Sequence, residues 1–386
     1  MAADHYNAVV AVFVGSEDQI DVDENDEEVL DIFNNDIFVI NSVCAALLSR
    51  EDRRRIIGYV NKVVPDYREE EFRRMFRVGR QTFDILCGYF TNSPHFPQKE
   101  GFGGREPVAI KTQLLVTLWY LGGQETIIKI ADRFGMSEST VIMCRKKVVN
   151  FILEHLMSKF ITWPVGQQAQ ETVDKFSQRN GFPGILGSLD GTHIKIKAPK
   201  HRPQAYVNRK NFHSLQLQAV CNTEMVFISC FAGFPGKTHD ARVLACSDLW
   251  DTGPELCQNY HIIADAAYPL QTWLLTPYRD NGHLTPEQRN YNFKHSANRV
   301  IIERAFSLLK GRFRRLQNLE TCLVLTACEI IMACCVLHNI CLLEHDSIEE
   351  FLDRNDDENH DGQPLPALAY VNNQALLKRN NIARNL

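Results

Sequence analysis

Apolar residues recur every three or four positions in the first half of the chain, and in short β-rich runs in the second. From about 37 to 160 the helical spacing dominates, as in Leu114, Leu115, Leu118 and Leu121. After about 180, strand-like runs alternate with helical stretches, so we predict a mixed sheet with helices on its faces. The predicted strands are Gly184–Ile196, Leu215–Val220, Val226–Phe231 and His261–Ala264, and the predicted helices are Asp240–Trp250, Asn298–Leu316 and 322–343.

These patterns divide the chain into four segments. Residues 1–36 form an acidic N-terminal arm, and residues 37–165 form a helical region. Residues 180–343 form the α/β unit, and residues 344–386 form an acidic, then Asn-rich tail that we expect to be loose. The fold class is therefore α/β, preceded by an all-α region.

Charge separates the same segments. The net charge of the 386 residues is −5, but residues 1–49 hold eleven acids and no Lys or Arg, and residues 344–361 hold nine acids and one arginine. Residues 50–343 hold 38 basic and 27 acidic residues, an excess of +11. A basic body between acidic segments is compatible with a polyanionic partner such as nucleic acid, although a solvated mixed surface explains it equally well.

Composition narrows the class of protein further. With 45% hydrophobic and 23% charged residues, the chain is neither collagen-like nor fully disordered. Its twelve cysteines show no zinc-site spacing, and adjacent Cys334 and Cys335 lie in an apolar run, so we expect reduced thiols. The longest apolar stretch, Cys328 to Leu343, contains Glu329 and His338 and falls short of about 20 residues. We therefore expect no membrane segment, and a cytosolic or nuclear protein.

Residues 126–153 are a helix-turn-helix candidate. Gly135 is placed to end a first helix, and Ser137 is placed to cap a second one. Arg145, Lys146 and Lys147 would then lie along the second helix, where they could contact phosphates. An ordinary helical hairpin with a basic face is the alternative.

Two aspartates stand at the predicted ends of apolar strands. Asp190 follows Ile185–Leu189, and Asp265 follows Ile262–Ala264. Neighbouring buried carboxylates repel each other unless a divalent cation lies between them. Asp240, after the turn at 234–239, is a further candidate ligand, although it could instead cap a helix N-terminus.

The predicted helix Asn298–Leu316 carries a third acid between two cations. Arg299, Glu303 and Lys310 are separated by four, seven and eleven residues, so they project from one side of the helix. Surface salt bridges would explain this spacing alone. Beside two strand-end aspartates, it favours a metal ligand next to phosphate-binding cations.

The chemistry that these residues suggest is metal-assisted phosphodiester cleavage. Carboxylate ligands select Mg²⁺ or Mn²⁺, here through Asp190, Asp240, Asp265 and Glu303. Such ions can activate a water or a 3′-hydroxyl and stabilise the leaving oxygen. The side chains that we expect to contact DNA are Arg145, Lys146, Lys147, Arg209, Lys210, Arg299, Lys310 and Arg312.

Several sequence blocks resemble the PIF/Harbinger superfamily of DDE transposases. The matching stretches, within about 180–315, are Asp190-Gly-Thr-His-Ile, the Tyr206–Gln216 block, Phe234-Pro-Gly-Lys-Thr-His-Asp240-Ala-Arg, Ala264-Asp-Ala-Ala-Tyr268-Pro-Leu and Arg299-x-x-x-Glu303-Arg-Ala-Phe-x-x-x-Lys310. Their order and combination are highly specific. The sequence departs from the family at Ser296, where a tyrosine would stand.

The resemblance implies an RNase H-like nuclease domain over 180–343, with Asp190, Asp265 and Glu303 as the catalytic triad. Asp240 would be a fourth acid or an alternative middle ligand. The family also implies DNA as substrate, a separate Myb-like partner protein, a nuclear and also cytoplasmic location, and possible homo-oligomers. The competing hypothesis is a domesticated DNA- or protein-binding factor without catalysis; a small-molecule phosphohydrolase would not need the basic residues.

Overall fold

The computed structural model describes residues 55–96, 107–346 and 372–386. The acidic arm predicted for residues 1–36 lies outside these ranges. The N-terminal region is all helical, as predicted, and it begins with a π-helical turn at Tyr59–Val63. Its helices are α1 (Glu69–Phe76), α2 (Arg80–Thr91), α3 (Ile110–Gly122), α4 (Ile127–Arg133), α5 (Glu138–Phe151), α6 (Met157–Phe160) and α7 (Gln167–Asn180).

The two helices of the candidate helix-turn-helix are α4 and α5. Gly135 separates them in the left-handed region, with φ of +67°, where a Cβ would collide with the carbonyl oxygen of Ile56. Ser137 caps α5 by accepting a hydrogen bond from the backbone N–H of Thr140 at 3.2 Å. Buried Ala131 and Val141 belong to the same hydrophobic cluster. The predicted local punctuation is present, and DNA contact by these helices stays a prediction.

The α/β unit contains one five-stranded mixed sheet. Its spatial order is β3-β2-β1-β4-β5, with β1 antiparallel to β2 and parallel to β4. The strands are β1 (Ile185–Lys195), β2 (Ser214–Cys221), β3 (Phe227–Pro235), β4 (His261–Ile263) and β5 (Leu274–Leu275). Four of them match predicted strands, and the sequence pattern missed β5. The mixed α/β fold class is confirmed.

Hydrophobic side chains cover both faces of this sheet. Ile262 of β4 belongs to one buried cluster, and the next residue, Ile263, belongs to the other. The larger cluster continues into the N-terminal helices, including Phe76 and Leu115. Burial on both faces explains why the strands read as apolar runs rather than as alternating patterns.

The helices that follow β3 in the chain differ from the predicted helices in where they begin and end. The predicted helix Asp240–Trp250 is two helices, which meet near buried Ser247. The predicted helix Asn298–Leu316 begins inside a helix of 27 residues that starts at a Thr285–Gln288 capping box and ends at Arg312, and a separate 3-10 turn follows at Arg314–Gln317. The helices are α8 (Asp240–Ala245), α9 (Asp248–Cys257), α10 (Pro286–Arg312), α11 (Val324–Leu343) and α12 (Asn373–Asn385).

Helix α11 packs against β3 and the end of the N-terminal region. Among the described residues, it is the one helix that is long and apolar enough to cross a bilayer, and 72% of that stretch is buried inside the protein. Asn339 of α11 donates hydrogen bonds to the carbonyl oxygens of Phe160 and Phe227 and accepts one from the Phe227 N–H. Such contacts are those of a core helix. The cysteines in the described ranges are all free thiols.

The end of the chain differs from the loose tail that the sequence suggested. Residues 373–385 form α12, and Lys378 donates to the carbonyl oxygens of Tyr260 and Thr272 at 3.0 and 2.8 Å. The Tyr278 hydroxyl donates to the side chain of Asn380 at 2.7 Å. Helix α12 is therefore fastened beside β4 and β5, while residues 347–371 of the predicted tail lie outside the described ranges.

Candidate active site

Asp190 lies inside β1, not at its end as predicted. Strand β1 continues for five residues beyond it, and Asp190 pairs with Ala219 of β2. The residue is only 2% exposed. One carboxylate oxygen accepts the N–H of Gly191 at 2.8 Å. A carboxylate this deeply buried requires a charged partner.

That partner is Arg299 of α10, which also pairs with Glu303. Its Nη1 lies 2.8 Å from Asp190 Oδ2, and its Nη2 lies 2.5 Å from Glu303 Oε1. The Ser188 hydroxyl donates to the carbonyl oxygen of Arg299 at 3.4 Å, which ties α10 to β1 at this level. One guanidinium thus bridges two of the three predicted catalytic acids.

The electrostatics of Asp190 are unusual for an aspartate. Burial raises its pKa to about 7, because desolvation disfavours the carboxylate. Arg299 and the Gly191 N–H act in the opposite direction, and the charges of Asp265 and Glu303 raise the pKa further. Asp190 therefore lies in a field of neighbouring carboxylates that one arginine compensates only in part.

Asp240 is the first residue of α8, and His239 is the N-cap. The alternative prediction, that Asp240 is itself the cap, is wrong. Gln216 of β2 holds this turn, because its amide donates to the Thr238 carbonyl oxygen at 2.7 Å and lies 3.5 Å from Asp240 Oδ1. A Cβ at Gly191 would lie 3.0 Å from Asp240 Oδ1. The absence of a side chain at Gly191 therefore allows Asp240 to approach β1 closely.

Asp265 comes two residues after the end of β4, close to the predicted position. Its Oδ1 accepts the N–H of Ala267 at 2.9 Å, which fixes a tight turn. This turn places Tyr268 in the site, where its hydroxyl would lie 3.6 Å from a Cβ at Gly191. The Tyr268 hydroxyl is buried and has no hydrogen-bond partner among the described residues. Burial, followed by the charges of Asp240, Asp190 and Asp265, raises the pKa of Tyr268 well above its usual value.

The candidate carboxylates are of the type that binds a hard divalent cation, although they do not surround one position as a complete set of ligands. Within residues 55–96, 107–346 and 372–386, no group of three acid, imidazole or thiol side chains is close enough to hold a metal ion. Arg299 instead lies between Asp190 and Glu303. Carboxylate oxygens are nevertheless what Mg²⁺ and Mn²⁺ prefer, and Asp240 lies close to Gly191, the residue after Asp190.

Two of the predicted DNA-binding residues lie on an exposed turn near these acids. Asn208 is buried and accepts the N–H groups of Lys210 and Phe212, so it shapes a turn with Arg209 and Lys210 at its tip. Arg209 lies 3.3 Å from the His239 ring, next to Asp240. Both basic side chains are exposed. The structure thus presents positive charge beside the candidate site.

The C-terminal end of α10 requires a correction. Arg312 is wholly buried, where it donates to the carbonyl oxygen of Arg77 at 2.8 Å and pairs with Asp346 at 3.4 Å. It cannot contact DNA from there, so that prediction is wrong. Lys310 is 5% exposed and does not share an open face with Arg299. A DNA contact by Lys310 stays a prediction.

The basic residues of α5 are unequally exposed. Lys146 is exposed and Lys147 is half-buried. Arg145 is also half-buried, with its guanidinium 4.9 Å from the centre of the Tyr120 ring. Lys146 is thus the most accessible of the three for a phosphate contact.

Sequence reasoning missed two residues of the site, Gln216 and Tyr268. Both stand inside the blocks that carry the family resemblance, and that placement was the available signal. Gln216 is one of three buried polar residues of β2, with Ser214 and Gln218, and Tyr268 is a buried phenol three residues after an acid. Neither pattern predicts that these side chains meet Asp240 in space.

Comparison with known proteins bears on these residues. The family model described as DDE superfamily endonuclease matches residues 189–339, a range that includes all four candidate acids. A protein of Rattus norvegicus named as nuclease HARBI1 is 34% identical over 257 residues, which covers 65% of this chain and 70% of that protein. The ALP1-like protein of Arabidopsis thaliana is 31% identical over 265 residues, which covers 63% of each chain.

A more distant relative is bacterial. The protein of Microchaete diplosiphon named as the transposase for insertion sequence element IS702 is 26% identical over 257 residues, covering 63% of this chain and 87% of that protein. The chain spans somewhat under two thirds of the length of the Arabidopsis thaliana protein described above. No solved structure matches the chain.

Proposed function

Because this chain belongs to the PIF/Harbinger superfamily of DDE transposases and the nucleases derived from them, we propose that it cleaves DNA phosphodiester bonds with a divalent metal ion, by hydrolysis or strand transfer. One observation carries the proposal. The buried Asp190 carboxylate lies among the charges of Asp265 and Glu303, and Asp240 lies close to Gly191, the next residue of β1.

The strand order supports an RNase H-like assignment for the nuclease unit. The sheet has an antiparallel part, formed by β1, β2 and β3, and a parallel part, in which β4 pairs with β1 and β5 pairs with β4. Asp190 lies on the central strand, Asp265 follows the adjacent parallel strand, and Glu303 projects from a long helix packed on β1. Three distant parts of the chain therefore contribute carboxylates to the proposed site around Asp190.

The side chains have separate roles in this proposal. Asp190, Asp265 and Glu303 would hold the metal, with Asp240 as a fourth ligand or in place of Asp265. When bound, Mg²⁺ or Mn²⁺ supplies activation of the attacking oxygen and stabilisation of the leaving oxygen. Gln216 keeps Asp240 in place. Exposed Arg209 and Lys210 would hold the DNA backbone beside the acids.

The proposal extends to the rest of the molecule. Helices α4 and α5 would dock on DNA as a helix-turn-helix, with Lys146 at a phosphate. A Myb-like partner, homo-oligomers and a nuclear and cytoplasmic location stay predictions from the family resemblance.

One observation favours a second candidate, a domesticated binding factor without catalysis. Arg299 already pairs with both Asp190 and Glu303, so these acids have a compensating partner without metal. Calorimetric titration with Mg²⁺ separates the two candidates. A nuclease shows metal uptake that Asp190→Asn abolishes, whereas a binding factor shows no uptake that depends on the acids.

The test of cleavage uses DNA with Mg²⁺ or Mn²⁺. We expect the wild-type protein to cleave, and Asp190→Asn and Glu303→Gln to be inactive. Asp251→Asn is the matched control, because Asp251 is an exposed acid on α9 outside the site. Equal cleavage by the wild-type protein and both site variants would contradict the proposed function.

A further inference from the structure

Arg299 uses the same oxygens that a metal ion would need. Its two terminal nitrogens contact Asp190 Oδ2 and Glu303 Oε1. The exposed fractions of the three side chains are 18% for Arg299, 3% for Asp190 and 38% for Glu303. The guanidinium therefore lies at the mouth of the site, with one acid buried behind it and the other at the rim.

A cation at these oxygens and the guanidinium in its present position exclude each other. Both are positive, and in a poorly solvated site two like charges at contact distance repel each other strongly. A divalent ion that takes Asp190 and Glu303 must displace the Arg299 side chain.

Only the side chain has to move. The Arg299 backbone is fixed inside α10, and its carbonyl oxygen also accepts a hydrogen bond from Ser188. Outward from Arg299, the helix presents the exposed residues Ser296, Val300 and Arg304. A guanidinium that leaves the acids therefore has open solvent beside it, on the side from which DNA would approach.

We propose that Arg299 is an exchangeable counter-ion, which holds Asp190 and Glu303 in the metal-free protein and moves to a DNA phosphate when a divalent cation takes those acids. The inference rests on the proposed function of this site. The planar guanidinium of Arg299 carries parallel N–H donors, which suit a phosphate as well as they suit two carboxylates. No bond is made or broken in this exchange.

The exchange couples metal binding to DNA binding. Metal makes Arg299 available to the phosphate, so DNA should bind more tightly when metal is present. By linkage, DNA must strengthen metal binding by the same factor. Without Arg299, metal should bind more readily, because no guanidinium has to leave, and the coupling should shrink.

The test measures Mn²⁺ affinity by titration and DNA affinity by fluorescence anisotropy, with and without metal. In Arg299→Met, we expect Mn²⁺ affinity to rise about tenfold and the metal-dependent gain in DNA affinity to disappear. Arg299→Lys, which keeps the charge but not the planar guanidinium, should lie between the two. Arg304→Met replaces an exposed arginine five residues further along α10; it controls for loss of positive charge and should leave Mn²⁺ affinity within twofold of wild type.

A measurement on the wild-type protein guards against a misfolded variant. In NMR spectra of protein with ¹⁵N-labelled arginine, the guanidinium Nε–H and Nη–H signals of Arg299 should shift to those of a solvent-exposed group on addition of Mg²⁺. Unchanged Mn²⁺ affinity in Arg299→Met, or an Arg299 signal that Mg²⁺ at saturation leaves in place, would overturn the inference. If Asp190→Asn binds Mn²⁺ as well as wild type does, the metal site itself is refuted instead.

Discussion

The buried pair Arg312–Asp346 gives the sharpest prediction about stability, because it replaces an expected DNA contact with a structural role. Asp346 accepts the Gly79 N–H at 2.7 Å and the Arg73 Nε–H at 3.2 Å, and it lies 3.4 Å from Arg312 Nη1. Gly79 is the N-cap of α2. One carboxylate therefore joins the N-terminal helices to the end of α10.

Replacing Asp346 with alanine should be severely destabilising. The Arg312 side chain has no exposed surface, and it would lose its counter-ion while remaining buried. Removing one partner of a buried ion pair costs about 3–5 kcal/mol of unfolding free energy. Asp346→Asn keeps one acceptor oxygen for the Gly79 N–H, so its loss should be smaller, roughly 2 kcal/mol.

The assay is urea unfolding, with the folded fraction monitored by circular dichroism. Arg314→Ala is the matched control, because this neighbouring arginine is exposed, and its loss should stay within about 0.5 kcal/mol. Fluorescence anisotropy then tests the DNA contact with Arg312→Lys. The account is refuted if Asp346→Ala unfolds like wild type, or if Arg312→Lys weakens DNA binding without lowering stability.

Three further predictions concern the site, pH and the N-terminal arm. Tyr268→Phe removes a buried hydroxyl that has no hydrogen-bond partner among the described residues, so the free energy of unfolding of the metal-free protein should rise by roughly 1 kcal/mol. A lower unfolding free energy, measured by calorimetry, would contradict this. Burial lowers the pKa of His338 to about 3, of His295 to about 4, and of His261 well below its usual value. Because the unfolded chain takes up these protons first, the contribution of these histidines to stability is full above pH 6.5 and is lost as pH falls below it, whereas the raised pKa of Asp190 acts in the opposite direction. Unfolding midpoints of Asp190→Asn, which lacks that opposing group, should therefore fall from pH 7.5 to 5.5, and unchanged midpoints would disprove it. Deleting the acidic residues 1–35 should tighten non-specific DNA binding at low salt, as measured by anisotropy, and an unchanged affinity would count against it.

Local signals in the sequence predicted the site better than they predicted its surroundings. Asp265 follows a strand, as its apolar neighbours indicated, and Ser137 and Gly135 form the turn that their spacing predicted. Those features depend on residues close together in the chain. The side-chain geometry at Asp190 does not, because it depends on Arg299, which lies 109 positions away.

Long-range partners explain the errors. Arg312 stands in a basic run that is typical of an exposed DNA-binding helix end, but its partner Asp346 comes from a segment whose acidity suggested a solvated tail. Helix α12 is polar and Asn-rich, and it docks by donating to backbone carbonyl oxygens, which no side-chain pattern reveals. Strand β5 has only two residues, too few to show a period.

The most direct test of the central claim is the single-turnover rate of DNA cleavage at saturating protein, measured with Mg²⁺ for the wild-type protein and Asp190→Asn. We expect a metal-dependent rate for wild type, and a rate at least about a hundredfold lower for Asp190→Asn, with DNA affinity retained. Cleavage at equal rates by the two proteins, or at the same rate with the metal chelated, would contradict the assignment of these acids to a metal-dependent nuclease site.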